Sequence, residues 1–261
     1  SRVSTESYST YLQNLRPPSS GNKFMKKISC VLATIAALCF SQVAEAQTNV
    51  QMFYDFGKER SYVTATLEGF YTDKGGDTFF FSDFYFSNQK NVYGASNGVY
   101  FEVERGLNFW HDSALKDFSA HIEYDGATWG ASMACIGAKY QFHNDDFSRF
   151  FTIYLMYDFM FGQEASVPLK VSGVWAVNNL FGAKWLTFKG FFDFWGLDNQ
   201  WGPSDINSGS ADTKWTFLAE PQLWFKVAEH LDLGTEIECS VNFAGHKGFM
   251  CNPCIGARWT F

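Results

Sequence analysis

The sequence predicts an all-β protein, a transmembrane antiparallel β-barrel of about twelve strands. Three observations predict it. From Leu231 to Phe243 the chain alternates without a break, with Leu231, Leu233, Thr235, Ile237, Cys239, Val241 and Phe243 on one face and Asp232, Gly234, Glu236, Glu238, Ser240 and Asn242 on the other. That period of two is a strand with one apolar and one polar, charged face. Aromatic residues make up 19% of the 261 residues, with 29 Phe, 12 Tyr and 9 Trp, yet the mean hydropathy is −0.16. A helical membrane protein would be strongly apolar, whereas a barrel shows only alternate residues to lipid and keeps its average near zero. Finally, no apolar run after Gln47 is long enough to span a bilayer as a helix. The net charge of −7 gives no support to nucleic-acid binding, which needs a basic surface.

In chain order, residues 1–24 are polar and rich in Ser and Asn, and read as a non-native or disordered extension. Residues 25–46 read as a signal peptide: Lys26 and Lys27 form a basic n-region, Ile28–Phe40 is the apolar run, and Ala44-Glu45-Ala46 is a small-x-small cleavage site. The mature chain is then expected to begin at Gln47, and residues 47–261 to form the barrel. Twelve alternating segments follow: Val50–Phe56, Tyr62–Tyr71, Thr78–Phe86, Val99–Phe109, Phe118–Asp125, Ala131–Phe142, Phe150–Phe161, Leu169–Asn178, Trp185–Trp195, Lys214–Lys226, Leu231–Phe243 and Cys254–Phe261. Most have the nine to eleven residues that a tilted strand needs to cross a membrane. Pro221 interrupts the apolar stripe of the tenth. The connections Asp73–Asp77 and Ala228–His230 are tight, and Ser87–Gly98 and Gly196–Thr213 are long. With both ends of the barrel chain in the periplasm, this alternation puts the long connections outside. The last strand, ending at Phe261, is expected to pair with the first, because a free edge would be left otherwise.

These features, a signal peptide, about twelve amphipathic strands and the terminal Trp259-Thr260-Phe261, resemble the outer-membrane β-barrel proteins of diderm bacteria. The size, strand number and aromatic early segments look like the Tsx-type family of nucleoside-specific channels. The resemblance implies an outer-membrane location, lipid as the barrel's surroundings, and insertion by the assembly machinery through the strand ending at Phe261. It also implies a narrow channel passing small solutes, with no cofactor. On the polar faces the alternation places Phe53, Asp55, Phe81, Asp83, Tyr100, Glu102, Tyr154, Asp158, Lys189, Phe191 and Arg258. In such a channel the rings would stack on a nucleobase and the carboxylates would accept hydrogen bonds from ribose hydroxyls or exocyclic amines. The bland alternative is that the rings fill the lumen or sit in an interfacial girdle.

The lumen charges are mixed. Glu102, Glu123, Glu236 and Glu238 share the wall with Lys139, Lys170, Lys189 and Arg258, which suggests modest ion selectivity or simple salt bridging of a plugged barrel. Cys251-Asn252-Pro253-Cys254 reads as part of the last external loop, with the two cysteines as a small disulfide or as free thiols. A single nearby histidine, His246, does not make a metal site. His111-Asp112-Ser113 lies in a turn and cannot form a triad from adjacent positions. His121, with Glu123 on an inward face, is the residue on which a lipid-modifying enzyme would rest. The remaining alternative is a non-conducting barrel that presents its loops for adhesion or assembly.

Overall fold

The computed structural model describes residues 45–57, 60–86, 98–128, 130, 132–201 and 212–261. They form one antiparallel sheet in thirteen segments. The first seven are β1 (Glu45–Asp55), β2 (Val63–Asp73), β3 (Gly76–Phe86), β4 (Val99–Leu107), β5 (Phe118–Ala127), β6 (Ser132–His143) and β7 (Arg149–Phe161). They are followed by β8 (Leu169–Asn178), β9 (Leu186–Asn199), β10 (Thr213–Ala219), β11 (Gln222–Lys226), β12 (Leu231–Phe243) and β13 (His246–Thr260). Each pairs with its chain neighbours, except that β10 and β11 both pair with β9 and β12 and not with each other, and β1 pairs with β13 over Asn49↔Thr260 to Asp55↔Cys254, so the sheet closes on itself.

The count resolves to twelve strands. Both β10 and β11 lie between β9 and β12, and the register carries over from β10 to β11 without a slip on either side, the one irregularity lying at Thr213–Trp215 against β9. They are two halves of one strand, parted at Glu220-Pro221. Pro221 has no N–H to give the ladder, and the ladder is bridged there by Glu220 N–H to Phe191 O at 3.0 Å and Ile237 N–H to Pro221 O at 3.1 Å. All twelve expected segments are strands. Their ends shift by a few residues either way, most of all in β13, which starts at His246 rather than Cys254. The last hairpin therefore turns at Ala244-Gly245, and the Cys251–Cys254 motif is strand, not loop. Likewise β9 runs to Asn199, so that Gly196–Asn199, expected in the loop, belong to the ladder. Length does not alternate cleanly from end to end: the β12–β13 turn is tight and the β4–β5 connection, 108–117, is not. Most of the two long connections, and the extension and signal-peptide segments up to residue 44, lie outside the described residues.

The packing is inside out. Polar side chains that face the interior are buried, among them Gln51, His121, Asp158, Lys170, Thr216 and Asn252. Apolar ones that face outward are exposed: along β7, Leu155, Tyr157, Phe159 and Phe161 are each about half exposed, from 46% to 60%. This outer face carries exposed aliphatic residues (Ile136, Leu155, Leu233, Ile255) and exposed rings (Phe118, Tyr140, Phe142 and Trp259 toward one end; Phe86, Phe161 and Phe249 toward the other). That is an apolar, aromatic-rich surface complementary to a bilayer.

One row of residues crosses the closing seam on the inside. Trp224 stands opposite Gly234, Gly234 opposite Gly256, and Gly256 opposite Phe53. The two rings lie down over the two glycines and meet at 5.6 Å between centroids. A Cβ on Gly256 would come within 2.6 Å of the Phe53 ring, and one on Gly234 would strike the Trp224 indole. Rings over bare glycines on the neighbouring strand are a device that fixes register and curvature in barrels.

Two outcomes follow. Leu155→Arg, at the midpoint of β7, is expected to destabilise the barrel in bilayers by about 2–4 kcal/mol and Phe142→Arg, near a rim, by about 0–1, as read by urea unfolding in phospholipid vesicles. Equal costs at both positions would contradict the belt's placement. Gly234→Val is expected to lower stability by about 1–3 kcal/mol through overpacking and to shift Trp224 fluorescence to the red as the ring leaves the seam.

Candidate functional site

The candidate site is the barrel interior, and strand alternation alone brings its residues there. All eleven expected lining residues face inward, but they fall into separate groups. At the seam, Trp224 donates Nε1–H to Gln222 at 2.8 Å, and Gln222 donates to Glu236 at 2.5 Å. Arg258 lies 4.6 Å from the Trp224 ring, a cation–π distance, and binds Asp232 at 2.9 Å. Phe53 and Arg258 thus share one aromatic neighbour, Trp224. Asp55 belongs elsewhere. Arg60, from the β1–β2 connection, grips Asp55 at 3.0 Å and Glu238 at 2.8 and 2.9 Å. Asn252, fully buried, donates to the same Glu238 at 3.0 Å.

A second group spans the lumen. Lys189 on β9 meets Glu68 on β2 at 3.3 Å. These strands are not neighbours in the sheet, so the ion pair crosses the interior from wall to wall. Asn49 and Gln51 also donate to Glu68, at 2.9 and 3.3 Å, and hold its carboxylate in place. The pair remains partly open to water, with side-chain exposures of 21% for Lys189 and 22% for Glu68. Beside it, Thr66 donates to Asp83 at 2.5 Å and Tyr85 donates to Asp83 at 3.5 Å. The Phe81 and Tyr100 rings meet at 5.6 Å, and Tyr100 donates to Glu102 at 3.3 Å. Phe191 lies between Lys189 and Asp193 on the inward face of β9.

The third group surrounds Lys170 on β8, which is 3% exposed. Its Nζ stands 2.5 Å from Glu123 and 3.6 Å from both Asp125 and Asp193, while Ser172 donates to Asp193 at 2.5 Å. His121 Nε2 lies 3.1 Å from Glu123 and 3.7 Å from Glu104, and its ring packs edge-on to Tyr154 at 4.9 Å. Lys139 pairs with Asp77 and lies 5.5 Å from the Tyr154 ring. Asp158, 2% exposed, has no hydrogen-bond partner for either side-chain oxygen. Among the described residues six carboxylates are buried (Asp55, Glu102, Glu104, Glu123, Asp125, Asp158) against one buried lysine. The mixed wall expected from sequence is thus weighted toward carboxylates in its most buried part, Asp55 among them being paired with Arg60.

Arg60, Glu68 and Asp125 are among the lining residues that pattern-reading missed. Arg60 lies in a connection, where alternation says nothing. Asp125 was legible, because Ser119, His121, Glu123 and Asp125 alternate along one face of β5. His121 is fully buried inside the wall, so it does not reach the lipid boundary where a lipid-modifying reaction would need it. The cysteine expectation is corrected. Cys251 and Cys254 are three apart on one extended strand and so point to opposite faces, Cys251 outward and Cys254 inward beside Phe53 and Trp224. The four described cysteines are free. The partner across from Cys251 is Cys239, on the outer face of β12.

Comparison with solved structures returns outer-membrane barrels. The chain is similar to the NanC porin at 11% identity and a TM-score of 0.52, covering 81% of this chain and 98% of that one. It is similar to the KdgM porin at 10% identity and 0.49, covering 82% and 99%. It is also similar to an outer membrane phospholipase of Salmonella typhi, solved as a dimer with bound calcium, at 11% identity and 0.47, covering 84% and 92%. Likeness at these identities is likeness of fold. Comparison with curated proteins gives no match. A family of barrel-length extent does match residues 46–261, and the chain belongs to it: DUF5020, described as a domain of unknown function.

Proposed function

We propose that this protein is a narrow, cation-preferring channel of the outer membrane that admits small polar solutes by passive diffusion. The observation that carries the reading is the Glu68–Lys189 pair, which crosses the lumen and stays open to water on both partners. A structural ion pair sealed in a core would be dry. One that water reaches from the lumen supports a passage that this pair spans. Rings and carboxylates stand close to this pair: Phe81 on Tyr100, Tyr100 on Glu102, and Asp83 held by Thr66 and Tyr85. They offer a solute one stacking surface and several acceptors, a combination suited to nucleosides, which accords with the Tsx-type resemblance. The acidic interior supports cation over anion preference. In this reading the strand ending at Phe261 is also the segment that the assembly machinery takes up, and lipid covers the outer belt.

The test is single-channel recording of the full chain purified in detergent and reconstituted in planar bilayers. Discrete conductance with cation preference is expected. Lys189→Ala is expected to raise that conductance roughly twofold by removing the pair that spans the passage. Nucleosides added to the bath should block wild type, and Tyr100→Ala should weaken the block by about 1–3 kcal/mol if the base stacks there. A correctly folded barrel that carries no current would overturn the channel reading. Conductance indifferent to nucleosides would overturn the nucleoside part alone.

A further inference from the structure

The closed, acidic part of the interior contains more negative charge than its one lysine can balance. Glu123, Asp125 and Asp193 contact Lys170, Glu102 and Glu104 lie beside them, and the other nitrogen bases nearby among the described residues are His121 and Lys139, the latter already paired with Asp77. Buried charge without a partner costs several kcal/mol per ion, so a set with this excess calls for a further positive charge or for protons.

The geometry is that of a chelate. Carboxylate oxygens of Glu102, Glu123 and Asp125 all lie within 4.8 Å of one another, and so do ligand atoms of Glu104, His121 and Glu123. Glu123 belongs to both sets. A cation bound at ordinary metal–oxygen distances sits between atoms spaced this way. An independent feature points to the same place. Asp125 is 4% exposed, yet among the described residues neither of its side-chain oxygens has a hydrogen-bond partner. Buried carboxylates are almost always hydrogen-bonded; this one is aimed at two others and stands 3.6 Å from the lysine ammonium. His121 Nδ1, in a fully buried ring, is likewise without a partner. Lys170 meanwhile places its ammonium where a cation would be drawn, against Glu123, Asp125 and Asp193.

We propose that this cluster binds one divalent metal cation, held by Glu102, Glu123 and Asp125, with Glu104 and His121 on the other side of Glu123. A set of three carboxylates, with an imidazole only in the neighbouring triplet, suits a hard ion such as Mn²⁺ better than a thiol-seeking one. The ammonium of Lys170 competes with the metal for the same carboxylates, so its removal strengthens binding. The site goes beyond the channel reading and does not depend on it: it is a property of the closed wall and is measurable without current.

The experiment uses the full chain, purified from membranes in detergent and stripped with EDTA. Mn²⁺ is titrated in and free ion is followed by its six-line EPR signal. One tightly bound Mn²⁺ per barrel is expected. Asp125→Asn should weaken binding about 10–100-fold, with folding checked by heat-modifiable migration on gels. Lys170→Met should tighten it about tenfold, a gain that a merely structural lysine would not give. If Lys170→Met does not fold, Asp125→Asn decides alone. No bound Mn²⁺ on a folded wild-type barrel would overturn the proposal and leave protons as the balancing charge. Binding unchanged by Asp125→Asn would overturn it too, by placing the ion elsewhere.

Discussion

The pairing of β1 with β13 is the constraint on which the rest depends. In hydrocarbon every backbone N–H and C=O must find a partner within the protein, so a sheet survives there only if it has no edge. Seven register pairs, Asn49↔Thr260 to Asp55↔Cys254, remove that edge. Closure then decides what each side chain meets. Once the ladder is a ring, alternation sends one residue to lipid and the next to the lumen, and no position is left that faces neither. The exposed Leu155 and the buried Lys170 are consequences of the same geometry. The row Trp224–Gly234–Gly256–Phe53 braces that seam from within, where two rings take the space that two side chains have given up.

Closure also explains how so much charge can stand inside a membrane. Ionisable groups in hydrocarbon are expensive and face the interior, paired or wetted. This barrel uses both solutions in different places. Near Glu68 and Lys189 the charges reach across the lumen and water still touches them. Around Lys170 they are closed off by Tyr154, Met156 and Cys135 and depend on one another. Arg60 is a third solution, a connection residue that folds back over the rim to hold Asp55 and Glu238 together. Its double hydrogen bond to Glu238 fixes a planar geometry that a lysine would not supply.

Most of the fold was legible because the signal for a barrel strand is the alternation itself. Segments such as β7, β8 and β12 need no tertiary information to be recognised. The early part of β13 was hidden by its composition: Gly248, Asn252 and Pro253 look like loop residues, and only the β12 ladder, from Cys239↔Cys251 to Val241↔Phe249, makes them strand. That misplacement carried the cysteine error with it, since a loop lets Cys251 and Cys254 approach while a strand turns them apart. Pro221 was visible as an interruption, and the structure shows why it is tolerated, with neighbours on both sides holding the register across the gap. Within the lumen, facing was readable and grouping was not. Alternation says that Lys189 points inward, and applied to β2 it says the same of Glu68, which was not singled out. It does not say that strands seven positions apart in the chain order meet across the barrel, because that depends on the diameter and the stagger of the closed sheet.

The interior charges are poor candidates for what stabilises the barrel. Buried ion pairs return little net free energy once desolvation is counted, and the ladder and the lipid-facing belt already supply closure and apolar burial. A wall needed only for stability would be better filled with the apolar residues that cover the outside. Under the channel and cation-site proposals, the acidic cluster around Lys170 and the ion pair spanning the lumen are there for what they attract and let past. The two differ in access to water, and so in exchange. The wet pair suits solutes that come and go, while the closed cluster suits an ion that stays.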